Sequence, residues 1–367
     1  MALPRGVART GDMDIPAREL ENHDLIACKK KGFKKISNLK KNGFKKISTN
    51  MLEQSVVESL GNQLRLGAQM GAGASSLEGS EGWGQTSLGD MPESCVAPVL
   101  LYLDPPEICL VARLNRAFRG AASADCVWAT KLPANYRYLA ALAAAADDDS
   151  SSDGSVEGNG RCSSSVATKK EKYARLCRPT PFDRGTKEFW IQKSKGGLCM
   201  SISSKALAIT GIDDRRYWSH LTTDESRFHS VAYLQQIWWL EVAGEIDFCF
   251  PAGSYSLLFR LHLGRPHKRM GRRVYDSELI YGWDIKPTRF QLSTSDGQHT
   301  TSDYHLDGPG HWILYHVGDF VISSSDELTK LKFSMMQIDC THTKGGLCVD
   351  SVFIYPKDHQ PEECIRK

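Results

Sequence analysis

No window of the 367-residue sequence approaches the ~18 uninterrupted apolar residues that a membrane helix needs, and residues 1–30 contain no apolar signal core. Neither a spanning helix nor a secretory leader is expected, which points to the reducing interior of the cell. Its eleven cysteines are odd in number and never stand as Cys-Xaa-Xaa-Cys, so they read as free thiols and not as a disulfide framework or a zinc ribbon. Net charge is nearly absent too, with 46 basic residues against 43 acidic ones, and nothing in that balance asks for nucleic acid. The sequence has no Gly-Xaa-Ser-Xaa-Gly elbow, phosphate loop or dinucleotide fingerprint, which removes the commonest hydrolase, nucleotide and redox chemistries. No cofactor is called for.

What is present divides by texture. Residues 1–84 form a glycine-rich tail with nine lysines between Lys29 and Lys46, where "KGFKKIS" is followed eleven residues later by "NGFKKIS". A solvated basic tail and a nuclear-import or acidic-surface patch are both open readings of it. Residues 85–133 are apolar at three- and four-residue steps. Within them "LDPPEICLVARLNRAF" gives a sharply specified helix start: Asp104 as N-cap, Pro105 at the first helical position and Glu107 as the third residue of a capping box. Ile108, Val111 and Leu114 then make an apolar stripe, with Arg113, Arg116 and Arg119 opposite. So short a helix needs partners, supplied by the stretch before Leu103 and by "ADCVWATKL" with Trp128 and Leu132. By pattern alone this is a small helical bundle.

The ordered set Leu88, Met91-Pro92-Glu93, Val96, Leu100, Leu103, Pro105-Pro106, Ile108, Leu114-Asn115-Arg116, Phe118 and Val127-Trp128 resembles an F-box. The resemblance implies docking on the small adaptor subunit of an SCF-type cullin-RING ubiquitin ligase. It assigns the contact to Leu88, Pro92, Leu100, Leu103, Pro105, Pro106, Ile108, Leu114 and Trp128.

Residues 134–175, with "AAAADDDSSSDGSVEGNG", read as a flexible acidic-serine linker. From 176 to 357 the texture is short aromatic and β-branched runs punctuated by turn signals, including "KSKGG" and "KGGLC", which predicts an antiparallel β-sandwich. Residues 358–367 are a tail. The expected fold class is thus α+β in separate domains, a helical module followed by a sandwich. Asp213 and Asp214 are adjacent, so on a strand they would face opposite ways; they fit a turn better than an acid–base pair. Cys340, His342 and Cys348 lack the paired spacing of a metal site. The second half therefore reads as a non-catalytic binding module, and its tryptophans, of which at least one of Trp238 and Trp239 is expected to fill the core, suit sugar stacking or packing.

The segments "ALAITGIDDRRYW", "IWWLEVAGEI", "HWILYHVGDF", "LKFSMMQID" and "KGGLCVDSVFIYP" resemble the plant phloem lectins, the Nictaba-like fold. Together with the F-box-like block, residues 85–357 are similar to plant F-box proteins that carry a phloem-lectin domain. What this implies is a non-enzymatic substrate receptor of a ubiquitin ligase in cytoplasm and nucleus, binding a glycan or glycoprotein. The alternative is a protein- or peptide-binding sandwich without sugar affinity. Of the family's two sugar-binding tryptophans and two glutamates only Trp218 is matched; Gly211, Lys330 and Gln337 occupy the other places. Finally, "MGAGASS" at 70–76 would be a myristoylation signal on Gly71 were translation to begin at Met70, giving at most weak, reversible membrane attachment.

Overall fold

The structure is a computed structural model that describes residues 92–149, 167–269, 272–276, 279–359, 361 and 364–366. Leu88, Gly71, the 1–84 tail and residues 150–166 of the expected linker lie outside the described residues.

Among the described residues six α-helices come first: α1 (Glu93–Leu100), α2 (Pro105–Val111), α3 (Arg116–Ala121), α4 (Asp125–Ala129), α5 (Tyr136–Asp149) and α6 (Lys169–Leu176). Helix α2 starts as its sequence dictates: Asp104 caps it, Pro105 opens it, and the Asp104 N–H donates to Glu107 Oε2 at 3.1 Å. Val96, Leu100, Ile108, Phe118, Val127 and Trp128 close a small core between α1 and α4. Trp128 donates its indole N–H to the Ala122 carbonyl at 2.8 Å, which satisfies the one polar atom that burying the ring would otherwise strand.

Sixteen strands of the described residues follow, numbered β1 to β16 along the chain. A nine-stranded sheet runs in the order β1 (Thr180–Phe182), β2 (Lys187–Ile191), β3 (Leu198–Ser203), β15 (Leu347–Pro356), β8 (Gly253–Leu263), β13 (Trp312–Ile322), β16 (Cys364–Arg366), with β5 (Trp218–Thr222) and β6 (Ser230–Leu234) joining at β15. A five-stranded sheet has the order β12 (His299–Tyr304), β11 (Thr288–Thr294), β14 (Thr329–Gln337), β7 (Leu240–Phe248), β4 (Ala208–Ile209). A ribbon of β9 (Arg265–Arg269) and β10 (Arg272–Asp276) stands apart. Pairing is antiparallel throughout the described residues except between β13 and β16. The sheets meet through rings: Phe259 of β8 packs on Phe290 of β11 and Phe333 of β14, at centroid distances of 5.6 and 5.9 Å. Burial of such rings supplies most of the drive for two sheets to face each other.

Strand β15 is buried along Leu347–Tyr355 and includes Asp350, which Arg260 meets at 2.8 Å. The Arg260 guanidinium also lies 4.3 Å from the Trp312 ring centroid and donates to the Glu225 carbonyl at 3.1 Å. A charge this deep is tolerable only with such partners.

The expectation of separate domains fails for a specific reason. From Pro92 onward the chain is one compact unit. The "linker" begins and ends in helices, and both bury apolar side chains against neighbours. Leu139 and Ala143 of α5 are buried, Tyr138 packs edge-on against Phe248 of β7 at 5.4 Å, and Asn135 donates to the Cys249 carbonyl at 2.7 Å. In α6, capped by Thr168 and Glu171, Tyr173 sits 5.3 Å from Trp128 of α4. Arg175 reaches back to the Ala143 carbonyl of α5 at 3.3 Å. Alanine-rich sequence has little to bury as loop but makes good helix, and that propensity decided α5.

Candidate functional site

The large apolar side chains that stay exposed among the described residues are not scattered. Three of the eleven, Leu101, Tyr102 and Leu110, lie on the first two helices and the turn between them, Tyr102 at 77% exposure. Six more, Trp238, Trp239, Leu279, Tyr281, Ile285 and Ile338, lie on three loops at one end of the sheets. Contiguous exposed apolar surface is costly for a soluble chain and marks a place where something binds.

The three loops are tied together from beneath. Lys344 is fully buried, and its ammonium donates to the carbonyls of Trp238, Gln337 and Asp339 at 2.6, 3.1 and 3.3 Å. Burial pulls the ammonium below the ordinary lysine range, against the opposite influence of Cys340 and Asp339. Ile237 and Lys344 exchange both backbone hydrogen bonds at 2.9 Å, and the next residue, Gly345, bonds Tyr281 at 3.1 Å. The indole N–H of Trp283 donates to the Gly345 carbonyl at 2.7 Å, while the Gln337 amide donates to the Lys286 carbonyl at 2.6 Å. Backbone crowding fixes the remaining freedom: Gly282 has φ +85°, and a Cβ there would strike the Thr343 carbonyl. The result is a set of exposed rings on a rigid base, with Asp284, Lys286 and Asp339 beside them.

The fourth loop, 210–217, borders this end, because Gln235 donates its N–H to the Tyr217 carbonyl and its side-chain amide to the Arg215 carbonyl. Asp214 caps the loop's own turn, accepting from the Arg216 N–H at 2.9 Å and pairing with its guanidinium at 2.6 Å, as a turn aspartate should.

Trp218, the expected sugar platform, is not on this surface. It is 1% exposed and donates its indole N–H to the Thr210 carbonyl at 3.0 Å. With both ring faces covered by protein it cannot stack on a pyranose, so the assignment is corrected to a core residue. Gln337 is likewise buried, and Lys330 is engaged by Glu245 and Asp247 at 3.2 and 3.9 Å. Trp238 and Trp239 correct the expectation in the opposite sense: both precede β7, and at 53% and 45% exposure neither fills the core.

The expected adaptor contacts separate into two groups. Leu100, Pro105, Ile108 and Trp128 are buried within the helices and shape the surface without being on it. Pro92 and Pro106 are exposed, and Leu103 and Leu114 are half-buried. Leu101, Tyr102 and Leu110 are the most exposed apolar groups there; their signal in the sequence is hydrophobic residues off the buried stripe.

Residues 197–356 match the phloem protein 2 family. Among the similar proteins of Arabidopsis thaliana, F-box protein PP2-A13 is 57% identical over 73% of this chain and 88% of its own length. F-box protein PP2-A11 is 54% identical over 77% of the chain and 92% of its own length, and F-box protein PP2-A15 is 50% identical over 81% of the chain and its full length.

Proposed function

Since the chain belongs to the plant F-box proteins that carry a phloem protein 2 domain, we propose that it is a non-catalytic substrate receptor of an SCF-type ubiquitin ligase, working in cytoplasm and nucleus. The helices dock on the ligase's small adaptor subunit, and the loop end of the sheets takes the target. The observation that supports this is the segregation of exposed apolar side chains into two clusters, one on α1 and α2 and one around Lys344, on one compact unit. A receptor needs two such surfaces; a hydrolase would need a cleft with convergent titratable groups. The adjacent indoles of Trp238 and Trp239 suit the apolar faces of a glycan on a glycoprotein target. A second reading, a protein target recognised without sugar, is favoured by the aliphatic Leu279, Ile285 and Ile338 in the same cluster.

The test uses the full chain and the adaptor subunit. Tyr102→Asp with Leu110→Asp should abolish adaptor capture with little change in melting, because both side chains are exposed. Trp238→Ala with Trp239→Ala should keep adaptor capture and lose the target. A glycan array separates the two target readings: signal that vanishes in the tryptophan variant supports sugar, and a blank array supports protein. Failure of the wild type to capture the adaptor would overturn the receptor reading.

A further inference from the structure

We propose that the adaptor-docking surface does not end with the helices but crosses a cleft onto the β2–β3 turn, so that the adaptor contacts Lys193 and Ser194 as well as α2. This rests on the docking reading above and extends it to residues outside the F-box-like block.

The cleft encloses about 400 Å³. Pro106 of α2 lines it together with Gln192, Lys193 and Ser194 of the β2–β3 turn and with Cys177, Pro179 and Trp190. Pro106 is exposed and stands one helical turn before Leu110, on the same side of α2. The cleft therefore continues the exposed apolar surface of the helices, and a partner seated on Leu110 meets it next.

The β2–β3 turn is held in place and cannot swing away from a docked partner. The Tyr173 hydroxyl, anchored beside Trp128, lies 3.3 Å from both the Gln192 and Lys193 carbonyls. The turn closes on itself through Gln192 N–H to the Gly197 carbonyl and Gly196 N–H to the Gln192 carbonyl, each 2.8 Å. Gly196 has φ +71°, and a Cβ there would come within 2.9 Å of the Lys131 carbonyl, so turn and helices pack backbone to backbone. Lys131 in turn donates its ammonium to the Leu101 carbonyl at 2.7 Å, next to Tyr102. Trp190 is fixed by the Arg227 guanidinium, 4.3 Å from its ring centroid, and by Tyr355 edge-on at 6.3 Å.

Charge says what fits. Lys193 and Lys195 are exposed on the turn, and the lining contains no acidic residue. The occupant is thus an apolar side chain of the adaptor, seated against Pro106, Pro179 and Trp190, flanked by adaptor carboxylates that face the two lysines.

The experiment measures affinity of the full chain for the adaptor subunit, together with hydrogen exchange of the complex. Lys193→Glu with Lys195→Glu should weaken binding three- to tenfold and flatten its salt dependence. Ser194→Trp, which fills the cleft, should weaken it at least tenfold. Adaptor should also protect amides of residues 190–195 along with those of 101–110. Affinities within twofold of wild type for both variants, with protection confined to 101–110, would overturn the extension and leave helix docking intact. A wild-type chain that does not bind the adaptor at all overturns the docking reading and this extension with it. Should Ser194→Trp disturb the fold, the charge reversal and the exchange pattern still decide, since Lys193 and Lys195 are exposed.

Discussion

Replacing Trp218 by alanine separates a core ring from a sugar platform. The ring is 1% exposed, so removing it opens a cavity of nearly a whole indole, and large-to-small changes of this kind cost about 3–5 kcal/mol. The Thr210 carbonyl that loses its indole donor belongs to an exposed residue, so water can replace the bond and the added cost is at most about 1 kcal/mol. At roughly 2–4 °C per kcal/mol for a unit of this size, a loss of about 4 kcal/mol lowers the melting temperature by about 8–16 °C. Trp218→Phe keeps most of the packing and should fall by about a third as much. Differential scanning calorimetry on both variants, with glycan binding measured below the melting transition, reads the two effects separately. Melting within about 1 °C of wild type for Trp218→Ala, accompanied by lost sugar binding, would refute the placement of this ring in the core.

Two further outcomes follow from local geometry. Burial works against ionisation of Asp319, but hydrogen bonds from Ser256, Lys357 and His316, at 2.6, 2.9 and 2.8 Å, outweigh it and hold the pKa at about 2. A carboxyl depressed below its unfolded value of about 3.9 contributes stability that is complete above that value and lost as pH falls towards 2. Asp319→Asn should therefore melt below wild type at pH 7 and converge with it near pH 2; a gap independent of pH would count against the three-donor account. At the loop end, Gly282→Ala meets both a positive φ and the Thr343 carbonyl, so it should cost about 2 kcal/mol or more and speed amide exchange at 281–285 and 343–345. Unchanged exchange there would mean that the three loops are not tied through this contact.

Legibility in the sequence followed the strength of local chemistry. The start of α2 was readable to the residue because Asp104, Pro105 and Glu107 each act within one turn. The "KSKGG" stretch joins paired strands β2 and β3 as its glycines suggest. The second double glycine was readable only as a turn: Lys344 and Gly345 bridge sideways to Ile237 and Tyr281, long-range partners that no local pattern names. Helix α5 was hidden by composition, since an alanine run beside aspartates and serines resembles linker, although Leu139 and Ala143 stand four apart on one face. The tryptophans misled for a related reason. Indoles are equally at home in a core and at a binding surface, and whether Trp238 or Trp218 is covered depends on where β7 begins and how the 210–217 loop folds back.

The seam made by Asn135, Tyr138 and Tyr173 has a practical corollary for anyone who grafts these parts onto other proteins. Of the borders that texture alone suggests, a cut at residue 176 would take Tyr138 from Phe248, and a cut at 133 would take Tyr173 from Trp128. A chimaera that transplants the sheets should carry α5 and α6 along, or it will present raw aromatic surface and aggregate. A break before Pro92 keeps helices and sheets in one piece.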